Sequence, residues 1–552
     1  MISGNFSFTK KNSIEILILI VSLIFSYILF WKNFKISSNG NMLISTKLWS
    51  DFAASIPLIR SFSYGDNFPP EYPIFAGQPI RYHFVFFIIV GFLEKIGLRL
   101  DWALNSLSTL GFIFLTFLIY CLGIEVFKSK GIGILSIILF LFNGSLGFLE
   151  FFKKNPPSLN TPSNIINNTE FSSFGPYDEK IVSAFWSLNI YSNQRHLALS
   201  YAFFLFLVLA IFKLSKQPVK FTFRVALILG ILSGLFPFVH LSVFTVSAVS
   251  LVLFFLIYPK IRLKILTTGI VALFLAVPQF LYMGKPQLKL EIFHPGYLVE
   301  PLTLLNFLKY WFLNLGLTTI LAPIGFILAN KDQKKLFIPF LTFFVIGNLL
   351  QFTPDMPTNH KFFNLFIIGS NFFTALLLIK LWNIKLAGKL FFIPITLLLT
   401  LTGIIDLFPI VNDGFIELRD IPNNKAAEFI LENTPKDAVF LNSSYLYHPA
   451  SLAGRKIFLG WPYFAWSAGY DTNKRSQIMA EIFSKNDKES FCDQLQKEKI
   501  DYIEIQEPSS LENITINYQF IEEKMMKIFF DQEQRISIYD VNISCRNLTE
   551  QR

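Results

Sequence analysis

Asp51 and four polar clusters interrupt a chain that is otherwise strongly apolar, and each holds side chains able to do chemistry. Trp49-Ser50-Asp51-Phe52 offers one carboxylate, which can serve as a general base or hold a divalent metal. Its plainer reading is a solvated residue on a surface helix. Arg81-Tyr82-His83 stands where polar sequence meets an aromatic run; a histidine there is more often a hydrogen-bonded boundary residue than a catalyst. Asn193-Gln194-Arg195-His196 sets four polar groups at the start of an apolar block, a costly arrangement in lipid unless something satisfies them. The Arg195 fork matches phosphate oxygens, with snorkelling to headgroups as the competing use. His240 ends the turn Phe236-Pro237-Phe238-Val239-His240, and Asp355, Asn359, His360 and Lys361 share another short connection.

The elements that position these residues are read from the apolar blocks. Of 552 residues, 53% are hydrophobic and 16% charged, against roughly 25% charged in a soluble protein. Blocks of about 20 residues, the length that crosses a bilayer, run at 14–33, 103–127, 131–150, 196–214, 222–236, 239–258, 262–283, 306–328, 335–352, 362–382 and 389–408. The first is too long for a signal-peptide core and has no small-x-small cleavage site after it, so it reads as an uncleaved anchor. The short block at 84–96 is broken by Glu94 and Lys95 and is expected not to cross.

Charge then sets sidedness. Basic clusters at Lys10/Lys11, Lys128/Lys130, Lys213–Arg224, Lys260–Lys264, Lys331–Lys335 and Lys380–Lys389 all fall on one side if there are about eleven spans, N-terminus cytoplasmic. This topological use accounts for the net charge of +10 without a nucleic-acid partner. Loops 34–102, 151–195, 236–238, 284–305 and 353–361 are then extracytoplasmic, and they hold most of the histidines and nearly every polar cluster. Within 34–102, Leu48, Phe52, Ile56, Ile59 and Phe62 recur at helical spacing and predict a helix in the interface plane, which Pro57 should kink or restart.

After residue 408 the composition becomes ordinary. The tail, 409–552, predicts an extracytoplasmic α/β domain with helices at 426–432 and 489–497 and strands at 438–441, 456–459 and 502–505. A hairpin follows at 527–531 and 535–541. Cys492 and Cys545 can pair if this domain meets an oxidising compartment. The aromatic run WPYFAWSAGYD suits either a partner surface or a lid over an acceptor.

An N-terminal anchor, a long outer loop with an early acid, many spans and an outer C-terminal domain together resemble the GT-C superfamily of membrane glycosyltransferases. The segments NFPPEYPIFAGQPIRYHF, NQRHLAL and AGRKIFLGWPYFAWSAGYDTNKR are similar to those of uncharacterised prokaryotic members. The resemblance covers the whole chain: 1–408 as the membrane domain and 409–552 as the outer domain. It implies transfer of a sugar from a polyprenyl-phosphate-linked donor to an outer-face acceptor, with membrane lipids as the surroundings. Asp51 takes the place of the catalytic acid. Arg195 and Lys361 are the candidates for gripping the donor phosphate, and His83, His196, His240 and His360 for lining the substrate pocket. Many members pair two acids where this chain has one, with Asp66 fifteen residues on. A divalent metal, Mg or Mn, would therefore draw on Asp51 and Asp66; no other cofactor is implied. Two further readings use the same features: a transporter or flippase of a lipid-linked sugar, and a scaffold whose tail binds an outer partner. The spans carry few acids and no repeated halves, which counts against a transporter.

Overall fold

The computed structural model describes residues 13–173 and 183–549, with side chains to 546; Lys10 and Lys11 lie outside them. Each of the apolar blocks contains helix, but among the described residues six helices are long and apolar enough to cross a membrane, or seven with one bent pair. They are Ser13–Phe30, Leu100–Phe127, Leu197–Lys216, Pro259–Met283, Met356–Trp382 and Lys385–Val411. By length and composition the expectation of about eleven spans is met in part. Lys130–Leu141, Phe223–Val239 and Leu241–Ile257 are shorter apolar helices, and Lys331–Leu349 opens on Lys331, Asp332, Lys334 and Lys335. The block at 306–328 is two helices, Leu304–Leu315 and Thr318–Leu328, at 86° to each other. Gly316 makes the bend: its φ is +55°, and a Cβ there would stand 2.4 Å from the Gly144 carbonyl oxygen.

Packing follows small and polar residues rather than hydrophobicity, since lipid is as apolar as leucine. On Ser13–Phe30, Leu17, Ile20, Leu23, Ile24 and Tyr27 are exposed, whereas Ser22 and Ser26 are buried and the Ser22 hydroxyl meets that of Thr116 at 2.7 Å.

The bundle has two distinct ends. At one, the basic turns meet: Lys130 pairs with Glu15, Lys213 with Glu125 and Lys216 with Asp332, while Lys335 lies over Tyr258. At the other, loops expected to be extracytoplasmic touch one another and the C-terminal region. Phe84 N–H donates to Phe238 O, Gln287 N–H to Gly469 O, Tyr463 Oη to Asp355 Oδ2, and Asn412 Nδ2 to Ile166 O.

That region is α/β, as its sequence predicts. Strands β4 (Val439–Leu441), β5 (Lys456–Ile457), β6 (Tyr502–Gln506), β7 (Met526–Asp531) and β8 (Ile536–Asp540) form a sheet ordered β5-β4-β6-β8-β7. β4 runs parallel to β5 and β6; β8 is antiparallel to β6 and β7. Cys492 and Cys545 form a disulfide. A second, antiparallel sheet ties the first loop to the tail: β1 (Phe34–Ile36) and β2 (Met42–Ser45) take β3 (Phe415–Leu418) as a third strand.

The predicted interfacial helix spans Trp49–Ser63 without interruption, Pro57 lying inside it. It does not lie with one face in water. From Ile56 to Ser63 every side chain is buried, because the helix is sandwiched between Val85–Lys95 and the tail's Pro449–Leu452 turn. A Cβ on Gly65 would come within 2.2 Å of Gly454 O, and one on Gly91 within 2.7 Å of Ile59 O, so backbones meet on both sides. At the centre of this sandwich, Arg60 (2% exposed) reaches Glu94 Oε1 at 3.0 Å and Asp420 Oδ2 at 2.7 Å, joining loop helix, neighbour helix and tail.

Candidate functional site

The end of the bundle covered by the tail brings Asp51, His83, His196 and Lys361 close to Tyr82, and His240 stacks on His83. Asp51 sits in the first turn of the Trp49–Ser63 helix, half-buried, and no described residue forms an ion pair with its carboxylate. Burial alone pushes its pKa up to about 6. Its charge acts on the hydroxyls of Tyr82 and Tyr447, raising both beyond what burial already does. Tyr447 donates to Trp49 O at 2.5 Å and packs on the Trp49 ring, fixing the helix start beneath the tail.

The Lys361 ammonium lies 5.9 Å from the centre of the Tyr82 ring. The residue is 7% exposed and its ammonium has no ion pair or hydrogen bond to a described residue. Asp355, the nearest acid acting on it, is engaged by Tyr463 at 2.9 Å. The Lys361 carbonyl accepts from Tyr201 at 2.7 Å, which anchors the backbone.

Arg195 is placed differently from the sequence expectation. Its guanidinium donates to Ser192 O at 2.8 Å, Asn105 Oδ1 at 3.1 Å and Phe30 O at 3.5 Å, and stacks over Phe30 and Phe52. These contacts consume the fork internally and pin the end of the first span to the loop helix. His360 is likewise engaged, by Gln194 and Asn364, each at 3.2 Å.

The other three histidines converge. His83 precedes the Val85–Lys95 helix, His196 caps Leu197–Lys216 and His240 caps Leu241–Ile257. The His83 and His196 Nε2 atoms are 2.5 Å apart, and the rings of His83 and His240 stack at 4.3 Å. All three are at most 3% exposed. No described residue pairs with His196 Nδ1 or with either nitrogen of His240; a buried polar atom left so costs about 1–3 kcal/mol. Burial, reinforced by the neighbouring imidazoles and Lys361, holds the His83 pKa well below the usual histidine range.

Asp51 and Asp66 do not form a metal site. Asp51 lies in the first turn of the Trp49–Ser63 helix and Asp66 just past its other end, and at about 1.5 Å per residue they stand about 20 Å apart. Asp66 is also exposed. Oxygen ligands for Mg or Mn are therefore not assembled there.

No family model matches the chain, and no curated protein matches its sequence. Solved structures do. Arabinofuranosyltransferase AftD from Mycobacteria matches with a TM-score of 0.52 and 13% identity over 96% of this chain and 40% of that chain. The Archaeoglobus fulgidus oligosaccharyltransferase tethered with an acceptor peptide gives 0.42 and 13%, over 90% and 69%. The same enzyme in complex with an inhibitory peptide and a dolichol-phosphate gives 0.41 and 14%, over 90% and 70%. The match to AftD shows a shared fold.

Proposed function

We propose that this chain transfers a sugar from a polyprenyl-phosphate-linked donor to an acceptor hydroxyl at the extracytoplasmic membrane face. The observation that carries the reading is a carboxylate and a buried ammonium gathered at Tyr82, Asp51 and Lys361, neither ion-paired to a described residue. Asp51 takes the proton from the acceptor as its oxygen attacks the anomeric carbon. The bond from that carbon to the phosphate breaks, and Lys361 neutralises the charge left on the departing lipid phosphate. Arg195 serves as a buried anchor. The tail's Pro462–Ser467 helix, held to Asp355 through Tyr463, covers the acceptor side. The membrane part, 1–408, then supplies both Asp51 and Lys361, and the tail, 409–552, closes over the acceptor side.

Arg195 and Lys361 are separable by experiment. Lys361→Gln should weaken retention of polyprenyl phosphate by about 10–100-fold, the loss of one charge-assisted contact worth about 1.5–3 kcal/mol, with the melting temperature in detergent kept. Arg195→Gln should lower the melting temperature. Normal lipid binding by Lys361→Gln would remove the phosphate role.

The sidedness rests on charge and is supported by the Cys492–Cys545 disulfide. In a background lacking only Cys121, cysteines at Leu159 and Ser510 should react with an impermeant thiol reagent in intact cells; one at Val219 should not. All three positions are exposed, so labelling at 219 with protection at 159 would invert the topology.

A further inference from the structure

We infer that His83, His196 and His240 form a binding site for a borderline transition-metal ion of the zinc type. Among the described residues they are the one group of three or more potential ligands brought together, with one nitrogen from each lying within 4.8 Å of the others. They come from three separate elements, and each is at most 3% exposed. The unpartnered nitrogens of His196 and His240 are the independent sign that something other than protein completes the cluster.

The donor set decides which ion. Three imidazoles are the ligands of an open zinc site, with a fourth position left for another group. Lys361 acts electrostatically on all three rings, and His196 and His240 stand at helix N-termini, which favour anions. Such positive surroundings repel a cation held by charge alone, which excludes Mg and Ca; an ion held by nitrogen lone pairs tolerates them. Metal–nitrogen bonds of about 2.0–2.1 Å set ligand atoms about 3.3 Å apart in a tetrahedron. The 2.5 Å approach of His83 and His196 must therefore open and His240 must turn out of its stack, a side-chain adjustment of about 1 Å.

The inference does not depend on sugar transfer, because metal content is read without turnover. Purified full-length protein is stripped with chelator, loaded with Zn²⁺ or Co²⁺, freed of excess metal, and measured by mass spectrometry of elements and by visible absorption. The expected result is about one Zn²⁺ per chain, no retained Mg²⁺ or Mn²⁺, and the ligand-field bands of nitrogen-bound Co²⁺. His240→Gln and His83→Gln should each lower Zn²⁺ affinity at least tenfold, while His294→Gln, outside the cluster, leaves it unchanged. Lys361→Gln removes the neighbouring charge and should tighten Zn²⁺ binding. Absence of Co²⁺ bands in the unaltered protein would overturn the site, whatever the variants do. So would equal loss in His294→Gln, or full Zn²⁺ retention in a folded His240→Gln protein.

Discussion

Asp51→Asn should lower sugar transfer by about 10²–10⁴-fold, the usual contribution of a positioned base, and should leave membrane insertion intact. The assay is movement of labelled sugar from lipid-linked donor in membranes carrying the protein. The native rate should also fall as pH drops below about 6, where burial has moved the Asp51 pKa and the base becomes protonated. A stability effect of opposite sense accompanies the loss. The native carboxyl holds its proton up to about pH 6, whereas an unfolded one releases it near 3.8, so the fold loses stability as pH rises through that window. Asn carries no charge, so the variant should melt higher than the native protein at pH 7. An inactive protein that melts lower would instead mean that Asp51 supports the fold.

The second large effect is structural. Arg60→Met should cost about 3–5 kcal/mol, because it strands Glu94 and Asp420 as buried charges without a partner. The triple variant Arg60→Met, Glu94→Gln, Asp420→Asn removes all three charges and should recover most of the loss. Thermal unfolding in detergent and protease resistance of the tail read both. If Arg60→Met melts with the native protein, the triad does not hold tail to loop.

These two predictions differ in how far the sequence foretold them. Asp51 was legible through the helical spacing of its apolar neighbours and through the resemblance. Arg60 was not: its partners lie 34 and 360 residues away, and Glu94 reads from sequence only as a charge interrupting an apolar block. The tail's hairpin and helices followed from alternation and turn residues, because those contacts are local. The strand Phe415–Leu418 was missed, as it completes a sheet whose other strands lie near residue 40. The bend at Gly316 was hidden because the block is apolar on every face, so no periodicity changes where the chain turns. The histidine cluster shows the same limit: 113 residues separate His83 from His196, and only packing reveals that they meet.

The central claim is that the sugar leaves its lipid. Purified protein in vesicles, given a polyprenyl-phosphate donor labelled in both sugar and lipid and a membrane extract as acceptor, tests it directly. Sugar label should pass to extract material while polyprenyl phosphate accumulates in equal amount, and Asp51→Asn should stop both. Sugar and lipid labels that stay joined and merely change leaflet would contradict it and leave a flippase.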